Sequence, residues 1–114
     1  MDADKLAFRS PAIVVFPMAA VEAGLRGELI EAAKIEASIR GIALPVAADQ
    51  IARAAVQVDS LVVVSILCSV EPIVGFELPE SVVRTGGYAS VESALGHLLP
   101  RIEKEWMKRK GAKP

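Results

Sequence analysis

Asp59-Ser60-Leu61-Val62-Val63-Val64-Ser65-Ile66-Leu67-Cys68-Ser69-Val70-Glu71-Pro72 is the stretch on which the fold turns. Its density of β-branched residues reads as a buried strand on propensity alone. Asp59, immediately before the apolar run, is a good helix N-cap and reads the other way. Composition leaves both readings open. Pro72 ends either element nearby, or kinks a helix at its last turn.

Upstream, the first helix runs from about Met18 to Arg40. Val21, Leu25, Ala32, Ile35 and Ile39 recur at spacings that place them on one apolar stripe. Gly24 and Gly27 weaken its first half, each by about 1 kcal/mol relative to alanine. Gly41 is a natural stop just past the last turn. Residues 41–58 read as a long connection, with a short helical turn inside it that Asp49 would cap. Downstream, Pro79-Glu80-Ser81-Val82-Val83 suggests a short helix or turn, and Gly86-Gly87 a flexible loop. Ser90 caps a last helix with the stripe Val91, Leu95, Leu98, Ile102 and Trp106. Pro100 lies within that stripe and predicts a kink or two abutting helices.

The chain has 114 residues, the length of one domain. Aromatic residues are only 4%, so the core must be built from Val, Ile, Leu and Ala, which favours a small helical domain over a sandwich or barrel. Residues 1–17 form a poorly patterned leader, with Ile13–Phe16 pairing against the body. Its apolar run resembles a short signal-peptide core, but the positive n-region is weak and two prolines interrupt the run, so cytoplasmic residence is expected. No stretch approaches the length of a bilayer span.

The formal net charge of −1 hides a polar distribution. Between Asp59 and Leu99 the acids Asp59, Glu71, Glu77, Glu80 and Glu92 stand against Arg84 alone. After Pro100, six bases stand against Glu103 and Glu105. This basic tail, with a lone Trp106, reads as solvated rather than as a nucleic-acid site.

Enzymatic constellations are absent. His97 is the sole histidine, on the last helix with no partner set by local spacing, and reads as structural. Cys68 is the only cysteine; within an apolar run it reads as a small buried hydrophobe, and it has no second thiol to pair with. There is no HExxH, GxSxG, CxxC or phosphate-cradling glycine loop, and Glu103 and Glu105 point to different helix faces. A metal centre and an enzyme acting alone are both disfavoured. What remains is Asp59-Ser60-Leu61: a hydroxyl opening a candidate helix, after a loop, where free amides and the helix dipole favour an attached phosphate. Asp59 and Ser60 are equally read as two competing N-caps.

This region resembles the acyl carrier proteins. Asp59-Ser60-Leu61 is followed, at that family's spacing, by Gly75-Phe76-Glu77-Leu78-Pro79, and the resemblance covers roughly residues 20–100. It implies an all-α fold, a small four-helix bundle with a long loop between helices 1 and 2, and so a helix over 61–71. The leader 1–17 and a basic helical extension, 101–114, flank a carrier-like domain at 18–100.

The resemblance further implies a carrier rather than an enzyme. A phosphopantetheinyl transferase, usually with magnesium, would attach 4′-phosphopantetheine from coenzyme A to Ser60, between Asp59 and Leu61. The arm's thiol would hold an acyl or aminoacyl group as a thioester. A loading ligase and downstream synthase enzymes would read a face made of Leu61, Val64, Cys68 and Glu71. A monomer without nucleic-acid or membrane partners is expected. Two departures point to a specialised carrier: Val56-Gln57-Val58 stands where the family usually has a glycine, and Val62-Val63-Val64-Ser65 replaces most of the second helix's acids. The alternatives are an unmodified helical adaptor that binds a partner through the apolar face of 61–71, and a small subunit of a larger enzyme.

Overall fold

The structure is a computed structural model that describes residues 15–111. Four α-helices follow one another: α1 (Met18–Arg40), α2 (Ala48–Arg53), α3 (Ser60–Val74) and α4 (Val91–Trp106). A 3₁₀ turn, Glu80–Val82, separates α3 from α4, and a π-helical turn, Met107–Gly111, continues α4. The fold is therefore all-helical, and the only extended pairing among the described residues is one antiparallel bridge between Val58 and Tyr88. None of these helices is long and apolar enough to cross a membrane.

The ambiguous stretch is a helix. Its buried residues are Val63, Ile66, Leu67, Val70 and Val74, spaced three, one, three and four apart, which is the helical period rather than alternation. Asp59 caps it, its carboxylate accepting from the Leu61 amide at 2.7 Å. Pro72 stays inside the helix, which runs two residues further to a stop at Gly75 (φ 93°). Pro72 and Cys68, the residue four before it, are both exposed, so the hydrogen bond that proline removes falls on the solvent side. Cys68 is a correction: it is exposed, not a buried hydrophobe. At 100° per residue it lies about 140° from Val63, well off the buried stripe.

The bounds of α1 follow its punctuation. Pro17 precedes the first turn, and Gly41 (φ 71°) closes the last by donating to the carbonyls of Ala37 and Ser38. Its core face does not follow the expected stripe. Val21 and Leu25 are buried, but the sequence continues inward with Leu29, Ala33 and Ala37, while Ile35 and Ile39 are 62% and 75% exposed. Steps of four advance about 40° around a helix of 3.6 residues per turn, so the buried face spirals along α1. The helix packs on α3, α4 and α2, and these neighbours rather than a straight stripe choose which residues are covered. α2 also differs from expectation: Ala47, not Asp49, is its N-cap, and Asp49 sits in the first turn, 3.5 Å from Arg53.

In α4 the expected stripe is buried throughout: Val91, Leu95, Leu98, Ile102 and Trp106. Ser90 and Ser93 cap its start reciprocally, each side chain bonding the other's amide at 3.1 Å. The helix passes through Pro100 as one element rather than as two abutting ones. Of the leader, Phe16 is buried and meets the Trp106 ring edge-on, centroids 5.7 Å apart, so the approach to α1 is seated on the end of α4. The expected pairing of Ile13 lies outside the described residues.

The Val58–Tyr88 bridge joins the approach to α3 with the loop before α4 through two backbone bonds, 2.8 and 2.9 Å long. Gly87 sits over this junction: a Cβ there would lie 2.2 Å from the Val58 carbonyl oxygen and 3.0 Å from the Ser60 amide nitrogen. Gly86 has nearly the same backbone (φ 92° against 82°) but open space around it. Gly86→Ala should therefore cost about 1–2 kcal/mol, the strain of a left-handed alanine alone. Gly87→Ala should cost clearly more, because the bridge must also part. Urea unfolding of the two variants side by side measures the difference.

Candidate functional site

Ser60 is the first residue of α3, and three local constraints set its position. The Asp59 carbonyl accepts the first helical bond, from Val63 at 3.1 Å, while its carboxylate holds the Leu61 amide. The preceding Val58 is clamped to Tyr88, and Gly87 presses on the Ser60 backbone from above. Gln57 adds a 3.3 Å bond from its side-chain amide to the Gly86 carbonyl. The serine side chain is half-buried, at the meeting of two clefts.

One cleft, of about 350 Å³, is polar, lined by Glu36, Arg40, Gln57, Asp59 and Gly86 beside Ser60. Arg40 and Glu36 form an ion pair within α1. The other, of about 170 Å³, runs along α3 and is walled by Leu61, Val64, Val83, Glu80, Arg84 and Thr85. Each cleft thus mixes charges: Arg40 with Glu36 and Asp59 in the first, Arg84 with Glu80 in the second, the Arg84 guanidinium lying over the Tyr88 ring at 5.2 Å. Free amides at the start of α3 add positive potential there. The serine hydroxyl has no hydrogen-bonded base among the described residues, and these contain no cluster of three or more metal-ligating side chains.

The face next to the core stripe of α3 carries Leu61, Val64, Cys68 and Glu71, which fall within about 80° of one another around the helix. Leu61 is 77% exposed, Cys68 is exposed, and Val64 and Glu71 are half-buried. Glu71 has an internal task as well: its carboxylate accepts from the Leu78 amide at 2.9 Å and so closes the loop 75–78.

Tyr88 is the residue that sequence reading missed. It is 1% exposed, and its hydroxyl accepts from the Arg84 amide at 2.9 Å and meets His97 Nδ1 at 2.7 Å. A buried phenol needs such partners, because an unpaired hydroxyl costs about 1–3 kcal/mol. The Tyr88 hydroxyl and His97 Nδ1 thus satisfy each other across the loop and α4. His97, which had no partner set by local spacing, finds one in Tyr88 and so anchors the loop that clamps Ser60. The signal was present in Gly86-Gly87-Tyr88, two glycines before an aromatic, but that pattern also suits an open loop.

No protein-family model matches the chain, and neither does any curated protein or solved structure.

Burial first, then the charges of Arg84 and Arg101, hold the His97 pKa below the usual histidine value. The folded state therefore binds less proton than the unfolded chain in the window between the lowered pKa and about 6.5. The resulting stability is complete above about pH 6.5 and declines as the pH falls through the folded pKa. His97→Gln should remove this component, so the urea midpoints of the variant and the parent should change differently between pH 7.5 and pH 5. An NMR titration of the His97 ring should give a midpoint below that of free histidine.

Proposed function

We propose that the chain is a carrier protein of the acyl-carrier type, with 4′-phosphopantetheine attached at Ser60. The observation that carries this reading is the placement of Ser60: a hydroxyl at the start of α3, beside its Asp59 cap, opening on a groove walled by Leu61 and Val64. A second support is the register of Gly75 to Pro79. Gly75 stops α3 in the left-handed conformation, and the following turn forms the far wall of that groove through Glu80 and Val83.

The chemistry suits a hydroxyl that is acted upon. With no base of its own, Ser60 would be deprotonated by the transferase and attack the phosphorus of coenzyme A that carries the pantetheine. A phosphodiester bond to Oγ forms as the pyrophosphate bond breaks and adenosine bisphosphate leaves. The attached phosphate would lie at the amide-rich start of α3, where the two clefts meet. The arm would then present an acyl or aminoacyl thioester to loading and synthase enzymes, which would read Leu61, Val64 and Cys68. Glu71, engaged with Leu78, offers such partners less than an unattached carboxylate would.

A second reading is an unmodified adaptor. The observation favouring it is the apolar, acid-poor character of the same face, where Leu61 is 77% exposed and Cys68 is exposed beside Val64.

Incubation with coenzyme A, magnesium and a broad-specificity phosphopantetheinyl transferase, followed by intact mass, separates the two. The expected result is a gain of one phosphopantetheine by the parent chain and none by Ser60→Ala. A parent chain that stays unmodified, or a Ser60→Ala variant that is modified, overturns the carrier assignment.

A further inference from the structure

The bases of the last helix do not scatter evenly into solvent. Arg101, Lys104 and Lys108 fall on one side of α4 and its π-helical continuation, and together with Ser81 and Val82 of the 3₁₀ turn they line a cleft of about 240 Å³. Arg101 is held in place there: its Nε donates to the Val82 carbonyl at 3.1 Å and its Nη2 to the Ser81 carbonyl at 2.9 Å. A guanidinium carries five donors, so this one is oriented by two and keeps three. Lys104 makes no ion pair among the described residues, while Lys108 reaches Glu105 at 3.3 Å. Arg109 is turned away, stacked over the Phe76 ring at 4.6 Å.

We propose that this cleft docks a carboxylate-rich segment of a protein partner. An oriented guanidinium flanked by two ammonium groups over roughly 10 Å of helix matches a short group of carboxylates. It does not match a long polyanion. Glu105 also lines the cleft and pairs with Lys108, so a docked carboxylate competes with it for that ammonium group, while Arg101 and Lys104 are met directly. The 3₁₀ turn gives the site its place in the molecule. Glu80 walls the groove at Ser60, while Ser81 and Val82 wall the basic cleft. A partner reaching Ser60 along the groove is therefore carried over the turn onto Arg101, Lys104 and Lys108. The identity of that partner as one serving Ser60 rests on the carrier reading; binding of carboxylates in the cleft does not.

The test is an NMR titration of the full chain with a short all-glutamate peptide at low salt. Shifts should concentrate on Ser81, Val82, Arg101, Lys104 and Lys108 and should fade as salt is raised. Lys104→Glu/Lys108→Glu should weaken binding about tenfold or more, as reversal of close charge pairs does. Lys34→Glu/Arg53→Glu, the same change of charge on α1 and α2, should leave it nearly unaltered. Should the first double variant lose its helical circular dichroism, Lys104→Gln/Lys108→Gln takes its place with the same expectation in direction. Ser60→Ala should bind like the parent, so failure of the carrier assignment leaves this measurement readable. Equal weakening by both charge reversals, or shifts centred elsewhere, overturns the proposal. So does tighter occupation of the cleft by an oligothymidylate or by phosphatidylserine vesicles.

Discussion

Two backbone hydrogen bonds between Val58 and Tyr88 tie together the parts of this molecule that matter most for Ser60. On one side they end the long connection after α1 and deliver the chain to the Asp59 cap. On the other they set the loop that leads into α4. The clamp holds because its inner end is anchored in the core. Tyr88 is almost completely buried, and its hydroxyl is satisfied by the Arg84 amide and by His97. A phenol left unpaired in that position would press the loop outward, since its desolvation would go uncompensated. The close approach of Gly87 to the Val58 carbonyl leaves no room for a side chain at the junction.

From this clamp the remainder of the site follows by helix geometry. Once Ser60 is the first residue of α3, residues 61, 64, 68 and 71 share one face, and 63, 66, 67, 70 and 74 share another. The second set is buried against α1. The first faces outward, which makes α3 both a core element and a surface for a partner. The 3₁₀ turn then divides the outer surface in two, with the Ser60 groove on one side and the basic cleft of α4 on the other. The bases late in the chain thus gather in space: Arg101 and Lys104 of α4 and Lys108 of its π-helical continuation share the one cleft.

Much of the fold was legible because it was decided locally. Gly41 stops α1 with a left-handed residue at its end, and the side chains of Asp59 and Ser90 cap their helices by accepting from amides two and three residues ahead. The stripe of α4 was readable to its last residue, because one face of that helix meets the core along its whole length. The stripe of α1 was readable only as far as Leu25. Beyond it, Ala33 and Ala37 are covered and Ile35 and Ile39 are not, an outcome set by the neighbouring helices rather than by hydrophobicity. Cys68 was misplaced for a related reason: a run of apolar residues shows no periodicity from which to tell its inner side from its outer.

Ser60 was singled out by the resemblance that Asp59-Ser60-Leu61, in register with Gly75 to Pro79, bears to the acyl carrier proteins; its place beside the Asp59 cap at the start of α3 is a local outcome. What surrounds Ser60 was decided only in three dimensions. Arg40 lies 20 residues before it and Arg84 24 residues after it. The Tyr88–His97 pair and the Gly87 contact likewise join segments that no local period relates. Sequence by itself determined the bounds of α1, the Ser90 start of α4 and the hydroxyl that follows the Asp59 cap, since caps, stops and helical spacing are short-range. The tertiary structure decided which faces are buried, which loop holds that hydroxyl in place and which distant residues line the clefts beside it, since each depends on contacts between residues far apart in the chain.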